Sequence, residues 1–381
     1  MSLAAITIDE LTADPHGALA HARDIGPIAW LPALDGWVVT GRRAAVDVMR
    51  DDERFTVDDP RFTTGQILGP SMLSTDGRAH SRHRAPFNGW FSDRGELQRL
   101  TAWMTDRARI LVAELEPHGR AELRTALAAP LAAETVAHAL RLDPPGAGAL
   151  LEWYAAIVDG VQRLTAGLDA GGGAALAYRD LATAIEAASR PDPPPPLAQA
   201  FQALSPTEVV ANAAVILFGG IETSEGATAN ALWHLLTHPD ALATVRADRS
   251  LVAAAVEESL RLEPAAATID RYATTDVELH GASIRAGDYV VVSLAGANRD
   301  PDVFADPDDF VLGRPNVRTH TTFALGPHAC LGIHLARAQT TAAVEAVLDG
   351  FDHLELDVGA AGPVGLVFRK AASLDATWTP R

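Results

Sequence analysis

The sequence is poor in cysteine, lysine and positive charge. Its 381 residues contain one cysteine, Cys330. A single cysteine forms no internal disulfide, so the fold does not draw on an oxidising compartment. It also excludes a disulfide scaffold and an iron–sulfur centre held by the chain's own cysteines. Lys370 is the only lysine. Asp and Glu outnumber Lys and Arg by 49 to 31, giving a net charge of -18. That deficit argues against nucleic acid as the main partner and against docking on an anionic membrane surface. Long hydrophobic runs are also missing. The longest, 209–221, contains Asn212 and stops at Glu222, too short for a membrane span. Residues 1–17 carry Asp9, Glu10 and Asp14 with no early Lys or Arg, which does not read as a secretory leader. The expectation is a cytoplasmic protein.

What is present is ordinary globular chemistry: 48% hydrophobic and 21% charged residues. No period of 20 to 50 residues repeats. Apolar residues recur at helical spacing over 97–115, 123–140, 150–164 and 174–188. Gly171-Gly172-Gly173 reads as a flexible turn, and the proline run 191–196 as a non-helical connector inside one domain. Ser205-Pro206-Thr207-Glu208 is a capping box with proline at the first helical position, starting a long helix that ends near His238. Another helix spans 250–262, strands follow at 268–272, 277–279 and 289–294, and a last helix spans 331–350. The predicted class is mainly α with a small β portion, in a single domain over 1–381.

The most informative segment is Phe323-Ala324-Leu325-Gly326-Pro327-His328-Ala329-Cys330-Leu331-Gly332. A Gly- and Pro-rich loop leads directly into a helix, which puts Cys330 at a helix N-terminus, where partial positive charge favours thiolate. Gly326 and Gly332 leave room for something flat and bulky against the backbone, and Phe323 offers an aromatic shield. A lone cysteine is more often a buried apolar residue, so the surrounding pattern decides. Glu258-Ser259-Leu260-Arg261 places an acid and a guanidinium three apart on one helix face. Gly219-Gly220-Ile221-Glu222-Thr223-Ser224 puts two glycines, an acid and two hydroxyls inside the long helix, where each glycine costs about 0.5–1 kcal/mol relative to alanine. His80 and Arg84 are four apart on one face of a basic segment and suit one carboxylate.

Together these segments resemble the cytochrome P-450 monooxygenases. The cysteine segment is similar to that family's haem-thiolate loop, F-G-x-G-x-H-x-C-x-G, at Phe323, Gly326, His328, Cys330 and Gly332; Ala324 stands where glycine is usual. The family's E-x-x-R mark is Glu258 and Arg261, which with Arg314 would form a buried triad. The pattern A-G-x-D/E-T-T is matched around Glu222 and Thr223. Arg271 matches the family's strand arginine, and His320 a histidine that often precedes the loop. Asn298-Arg299-Asp300-Pro301, Phe304, Pro307 and N-terminal stretches such as Asp14-Pro15 and Trp37-Val38-Val39-Thr40 extend the likeness over nearly the whole chain.

The resemblance implies haem b with Cys330 as axial ligand, and propionates held by His80, Arg84, Arg271 and His328. It implies glycines that make room for dioxygen, and Glu222 with Thr223 as the acid–alcohol pair that supplies two protons for O–O cleavage. The reaction would insert one oxygen atom from O2 into a small or medium-sized, mostly apolar molecule. Electrons would come from a ferredoxin and its reductase, docking on Arg78, Arg82 and Arg337. Substrate would be lined by 56–73 (with Arg61 and Phe62), 150–173, 266–269 and 362–367. The sequence leaves open a non-enzymatic haem-binding or sensor protein and a haem-thiolate enzyme of another outcome, such as oxidative coupling.

Overall fold

The capping box at Ser205 closes as its residues dictate. In the computed structural model, which describes residues 2–142, 147–165, 168–188 and 196–381, the Ser205 N–H donates to Glu208 Oε2 at 2.9 Å and the Glu208 N–H to Ser205 Oγ at 3.4 Å. Two end amides are thereby satisfied. Helix Pro206–Thr237 then runs for 32 residues until His238-Pro239 ends it. Helices also form at Arg94–Leu115, Ala147–Thr165 and Val252–Leu262, where apolar residues recur at helical spacing.

Three local expectations need correction. The glycine triplet is not a separate turn: helix Gly171–Ala188 begins within it. Glycine's poor propensity is overruled there by the periodic apolar face that follows. The 123–140 stretch is a π-helical turn, Arg124–Ala128, followed by helix Ala129–Ala139. The last helix is Ile333–Gly350, two residues later than expected, with Gly332 as its cap. Of the proline connector, 191–195 lie outside the described residues, and Pro196 caps helix Leu197–Ala203. Among the described residues no helix is long and apolar enough to cross a membrane.

The chain groups into two compact units. The first comprises Met1–Thr56, Thr105–Ala128 and Thr223–Arg381. Its main sheet has five strands in the order Ile28–Leu31, Gly36–Val39, Tyr289–Ser293, Thr268–Ala273, Phe55–Thr56. Gly36–Val39 runs parallel to Tyr289–Ser293, with Trp37 opposite Val290; the other pairs are antiparallel. The β-branched runs Trp37-Val38-Val39 and Val290-Val291-Val292 supply fully buried Val39, Val290 and Val292, which pack with Val48 and Phe55. A three-stranded sheet orders Arg120–Glu122, Asp375–Thr379, Asp352–Leu356.

The first unit also contains the triad that the resemblance implied. Glu258, fully buried, accepts from Arg261 Nε at 3.0 Å and Nη2 at 2.8 Å, from Arg314 Nε at 2.9 Å and from the Val311 N–H at 3.1 Å. Arg261 donates onward to the carbonyls of Asn298, Pro307 and Asp309, and Arg314 to those of Ala305, Asp306 and Asp309. The irregular segment 298–314 is therefore pinned, carbonyl by carbonyl, to helix Val252–Leu262.

The second unit comprises Val57–Met104 and Ala129–Glu222. Its buried pivot is Asn212. The side-chain oxygen accepts the Met72 N–H at 2.8 Å, and the amide nitrogen contacts His83 Nδ1 at 2.8 Å and donates to the Glu208 carbonyl at 2.7 Å. One side chain thus ties the 69–76 segment and helix Gly77–Ser92 to the long helix. Burial, then the neighbouring Arg82, lower the His83 pKa, so its ring serves as a neutral acceptor.

Removing one partner of the Glu258 triad leaves a buried charge unpaired, which costs about 3–5 kcal/mol. Arg261→Met is expected to lose that much in urea unfolding, whereas the exposed, locally paired Arg54→Met should lose less than about 1 kcal/mol.

Candidate haem-thiolate site

The cysteine loop is built from short turns. The Ala324 N–H donates to the Thr321 carbonyl at 2.8 Å, Ala329 N–H to Gly326 at 3.1 Å, and Cys330 N–H to Phe323 at 2.8 Å. The last bond closes the loop and fixes the cysteine backbone. Cys330 is exposed and lies three residues before Ile333, the first residue of helix Ile333–Gly350. A helix start carries partial positive charge, which favours an anionic ligand atom nearby.

Two residues set the loop's shape. Gly326 has φ 75°, and a Cβ there would overlap the Met49 carbonyl oxygen. Ala324, at the position where the resembling loop carries glycine, has φ 52°. The left-handed region costs a non-glycine residue about 1–2 kcal/mol. Alanine therefore carries left-handed strain at this position of the loop. Ala324→Gly is expected to relieve the strain at the cost of about 0.4–1 kcal/mol of chain entropy, a net gain of about 0.5–1 kcal/mol visible as a raised Tm. Gly326→Ala should lower Tm and haem retention together.

The long helix places its motif as expected and divides the roles of its glycines. A Cβ at Gly219 would meet no atom within 4 Å, whereas one at Gly220 would sit 2.5 Å from Val136 Cγ2. Gly219 leaves open space; Gly220 permits close packing on helix Ala129–Ala139. Glu222 is buried and Thr223 half-buried. The next glutamate, Glu225, is buried between Arg124 at 2.8 Å and Lys370 at 3.0 Å, a structural ion pair. Glu222 is the acid beside the hydroxyl.

The expected propionate partners are found on three elements. His80 is buried on helix Gly77–Ser92, and Arg84, half-buried on the same helix, donates to Asn88 Oδ1 at 3.1 Å. Arg271 is buried on strand Thr268–Ala273, beside Asp270, whose carboxyl pKa is raised by burial. His328 is half-buried in the cysteine loop. The residues fit haem b. The single thiol is exposed at the end of a closed loop, a Cβ at Gly332 would meet no described atom within 4 Å, and the buried guanidinium of Arg271 suits a propionate.

Two docking arginines are not open charges. Arg82 forms an ion pair with Glu208, whose carboxyl is held at about 2 by that contact. Arg337 is matched by Glu257: Nη2 donates to Oε2 at 3.0 Å, and Nε also binds the carboxylate. His320 Nε2 contacts Glu257 Oε2 at 3.1 Å. Arg61, considered as a carboxylate anchor, is bidentate on Asp59 at 2.8 and 2.9 Å. Glu257 was not legible as a site residue, although it stands beside Glu258 in the acid–arginine motif.

The second unit holds an apolar cleft that opens to solvent. Leu150, Trp153, Tyr154 and Ile157 line it from helix Ala147–Thr165, Leu181 from Gly171–Ala188, and Ala214, Leu217, Phe218 and Ile221 from the long helix. Four of these come from the 150–173 region expected to face substrate. The Tyr154 and Phe218 rings lie 6.1 Å apart, tilted by 46°.

A mostly helical fold with a lone thiolate loop, a buried E-x-x-R triad and an acid–hydroxyl pair in a long helix defines a haem-thiolate protein. The cytochrome P450 family model matches residues 197–360. The cytochrome P450 monooxygenase PikC of Streptomyces venezuelae is 33% identical over 370 residues, covering 92% of this chain and 86% of that protein. Among solved structures, CalO2 superposes with a TM-score of 0.89 at 29% identity, covering 98% of both chains. Myxobacterial CYP267B1, crystallised in complex with myristic acid, does so at 0.84 and 29%, covering 97% of this chain and 98% of its own. The chain belongs to the cytochrome P450 family: it is an oxidoreductase, a haem-thiolate monooxygenase that binds haem b and uses O2 with redox partners.

Two buried carboxylates give this unit a pH limit. Burial alone would raise both; hydrogen bonds from His320 and Arg337 hold Glu257 at about 2, and His16, Arg369 and Arg299 hold Glu263 at about 2, against an ordinary 4.5. A depressed carboxyl pKa stabilises the fold above the unfolded value and loses that contribution as pH falls through the folded value. Unfolding free energy should therefore be flat above about pH 5 with respect to these groups, and drop steeply between 4.5 and about 2.

Proposed function

We propose that this chain hydroxylates, epoxidises or O-demethylates a small or medium-sized, mostly apolar organic molecule, taking electrons from a ferredoxin and its reductase in the cytoplasm. The observation that carries the reading is the closed loop that presents the only thiol beside a helix start. Cys330 would hold the haem iron through its sulfur, and the nearby start of Ile333–Gly350 favours negative charge there. Phe323, Gly326 and Gly332 would form the loop face against the haem, while Arg84 and Arg271 would offer charge, and His80 and His328 ring nitrogens, to its propionates. Haem b, when bound, supplies dioxygen activation, with thiolate donation favouring O–O cleavage.

The rest is this chain's own chemistry. Thr223 holds a proton at Oγ1, and Glu222 resupplies it from water at its carboxylate. The open position at Gly219 leaves space beside that hydroxyl. The apolar cleft supports an apolar substrate, as does the fatty acid bound by CYP267B1. Among the described residues the buried Tyr154 hydroxyl has no hydrogen-bond partner, and one polar substrate atom would satisfy it. A thiol that must stay reduced supports a reducing compartment. We place both units in a single domain over 1–381; the long helix runs unbroken through both.

The test is a screen of apolar compounds for a spin-state shift, followed by parallel measurement of O2 consumption and product with a ferredoxin and its reductase. The wild type should convert a binding compound to an oxygenated product. Thr223→Ala should lower product per O2 by about 10²-fold or more while O2 consumption continues, the size of a lost proton-delivery step. Unchanged coupling would contradict the assigned role of Thr223.

A further inference from the structure

Arg337 carries more than a charge for docking. It stands on the second turn of helix Ile333–Gly350, and its guanidinium carbon lies 4.8 Å from the centroid of the Phe323 ring. Its nitrogens bind Glu257 on helix Val252–Leu262, one bond at 3.0 Å. Glu257 is buried and also meets His320 Nε2 at 3.1 Å. The Thr322 N–H donates to His320 Nδ1 at 3.2 Å, so the ring accepts there and donates from Nε2 to the carboxylate. Thr322 Oγ1 donates to the Leu260 carbonyl at 2.7 Å, and the Thr321 N–H to Asn298 Oδ1 at 2.6 Å. Phe323 in turn accepts the Cys330 N–H at 2.8 Å.

We propose that Glu257 and Arg337 are positioning residues for the Cys330 thiolate, acting through Phe323. Glu257 orients the guanidinium, the guanidinium holds the Phe323 ring from its face, and the Phe323 carbonyl fixes the cysteine amide. His320 ties the start of the same loop to the same carboxylate. A planar cation suits this task because it can stack on a ring and present two N–H groups edge-on to a carboxylate; an ammonium does one or the other. A charge fully matched by a buried carboxylate is a weak docking element for an acidic partner, so pairing and stacking point to the same role.

This inference rests on haem-thiolate ligation by Cys330, and the experiment separates the two. The ferrous–CO absorption band and the midpoint potential from chemical titration, which needs no redox partner, are measured for wild type, Arg337→Gln, Arg337→Lys, Glu257→Gln and a control, Arg124→Gln. The control removes one of two cations from buried Glu225, just as Arg337→Gln leaves Glu257 with His320. Partners that orient a metal ligand are typically worth 10–100-fold. Arg337→Gln and Glu257→Gln should shorten the lifetime of the thiolate band about tenfold and move the one-electron equilibrium about tenfold, 59 mV. Arg337→Lys should recover part of both, and Arg124→Gln should match wild type. The inference is overturned if Arg337→Gln keeps wild-type band lifetime and potential, including the case where it only slows reduction by ferredoxin. It is equally overturned if Arg124→Gln behaves as Arg337→Gln does. A wild type without a thiolate band would instead remove the underlying assignment of Cys330.

Discussion

A carboxylate with no exposure to water holds its charge only where cations and amides surround it. Glu258 meets that demand with two arginines and a backbone N–H, and the arginines reach on to the carbonyls of residues 298, 305–307 and 309. Those carbonyls belong to a segment with almost no regular secondary structure. Without the guanidinium donors the segment would bury unsatisfied polar groups, which no small core can absorb. The path of the chain into the cysteine loop therefore depends on one acid of one helix.

Its neighbour in sequence serves the loop itself. Successive residues of a helix point about 100° apart. Glu258 faces the 298–314 segment, and Glu257 faces His320 and Arg337. Helix Val252–Leu262 thus acts as a two-sided clamp: one carboxylate fixes the approach to the loop and the other its two ends. Between those ends the backbone is allowed strain at Ala324, while Gly326 takes its left-handed conformation freely. Strain persists only where the surroundings over-determine a conformation, and two buried ion networks on one helix do that.

How much of this was legible in the sequence follows from distance along the chain. The Ser205 cap, the Glu258–Arg261 pair and the cysteine loop are local, so spacing rules find them. Arg314 came only from the resemblance, since its partner lies 56 residues away. Glu257 was not legible for the same reason: its partners are 63 and 80 residues distant. Arg82 and Arg337 read as open basic charges because a sequence does not show which acids fold against them. Strands such as Ala361–Val364 and Lys370–Ser373 lack β-branched alternation and are held by pairing and by buried Arg369, so no pattern announced them. The helix after Cys330 starts two residues late because Gly332 is its cap rather than its second residue.

The fold, the loop and the family agree on one chemical statement: the chain's one thiol, Cys330, is presented at the end of a closed loop to ligate haem iron. The absorption spectrum of the haem-loaded wild-type protein, reduced under carbon monoxide, tests this most directly. The account predicts a Soret band at the red-shifted position of thiolate-ligated haem, lost in Cys330→Ser. A wild-type band at the position of histidine-ligated haem would contradict it.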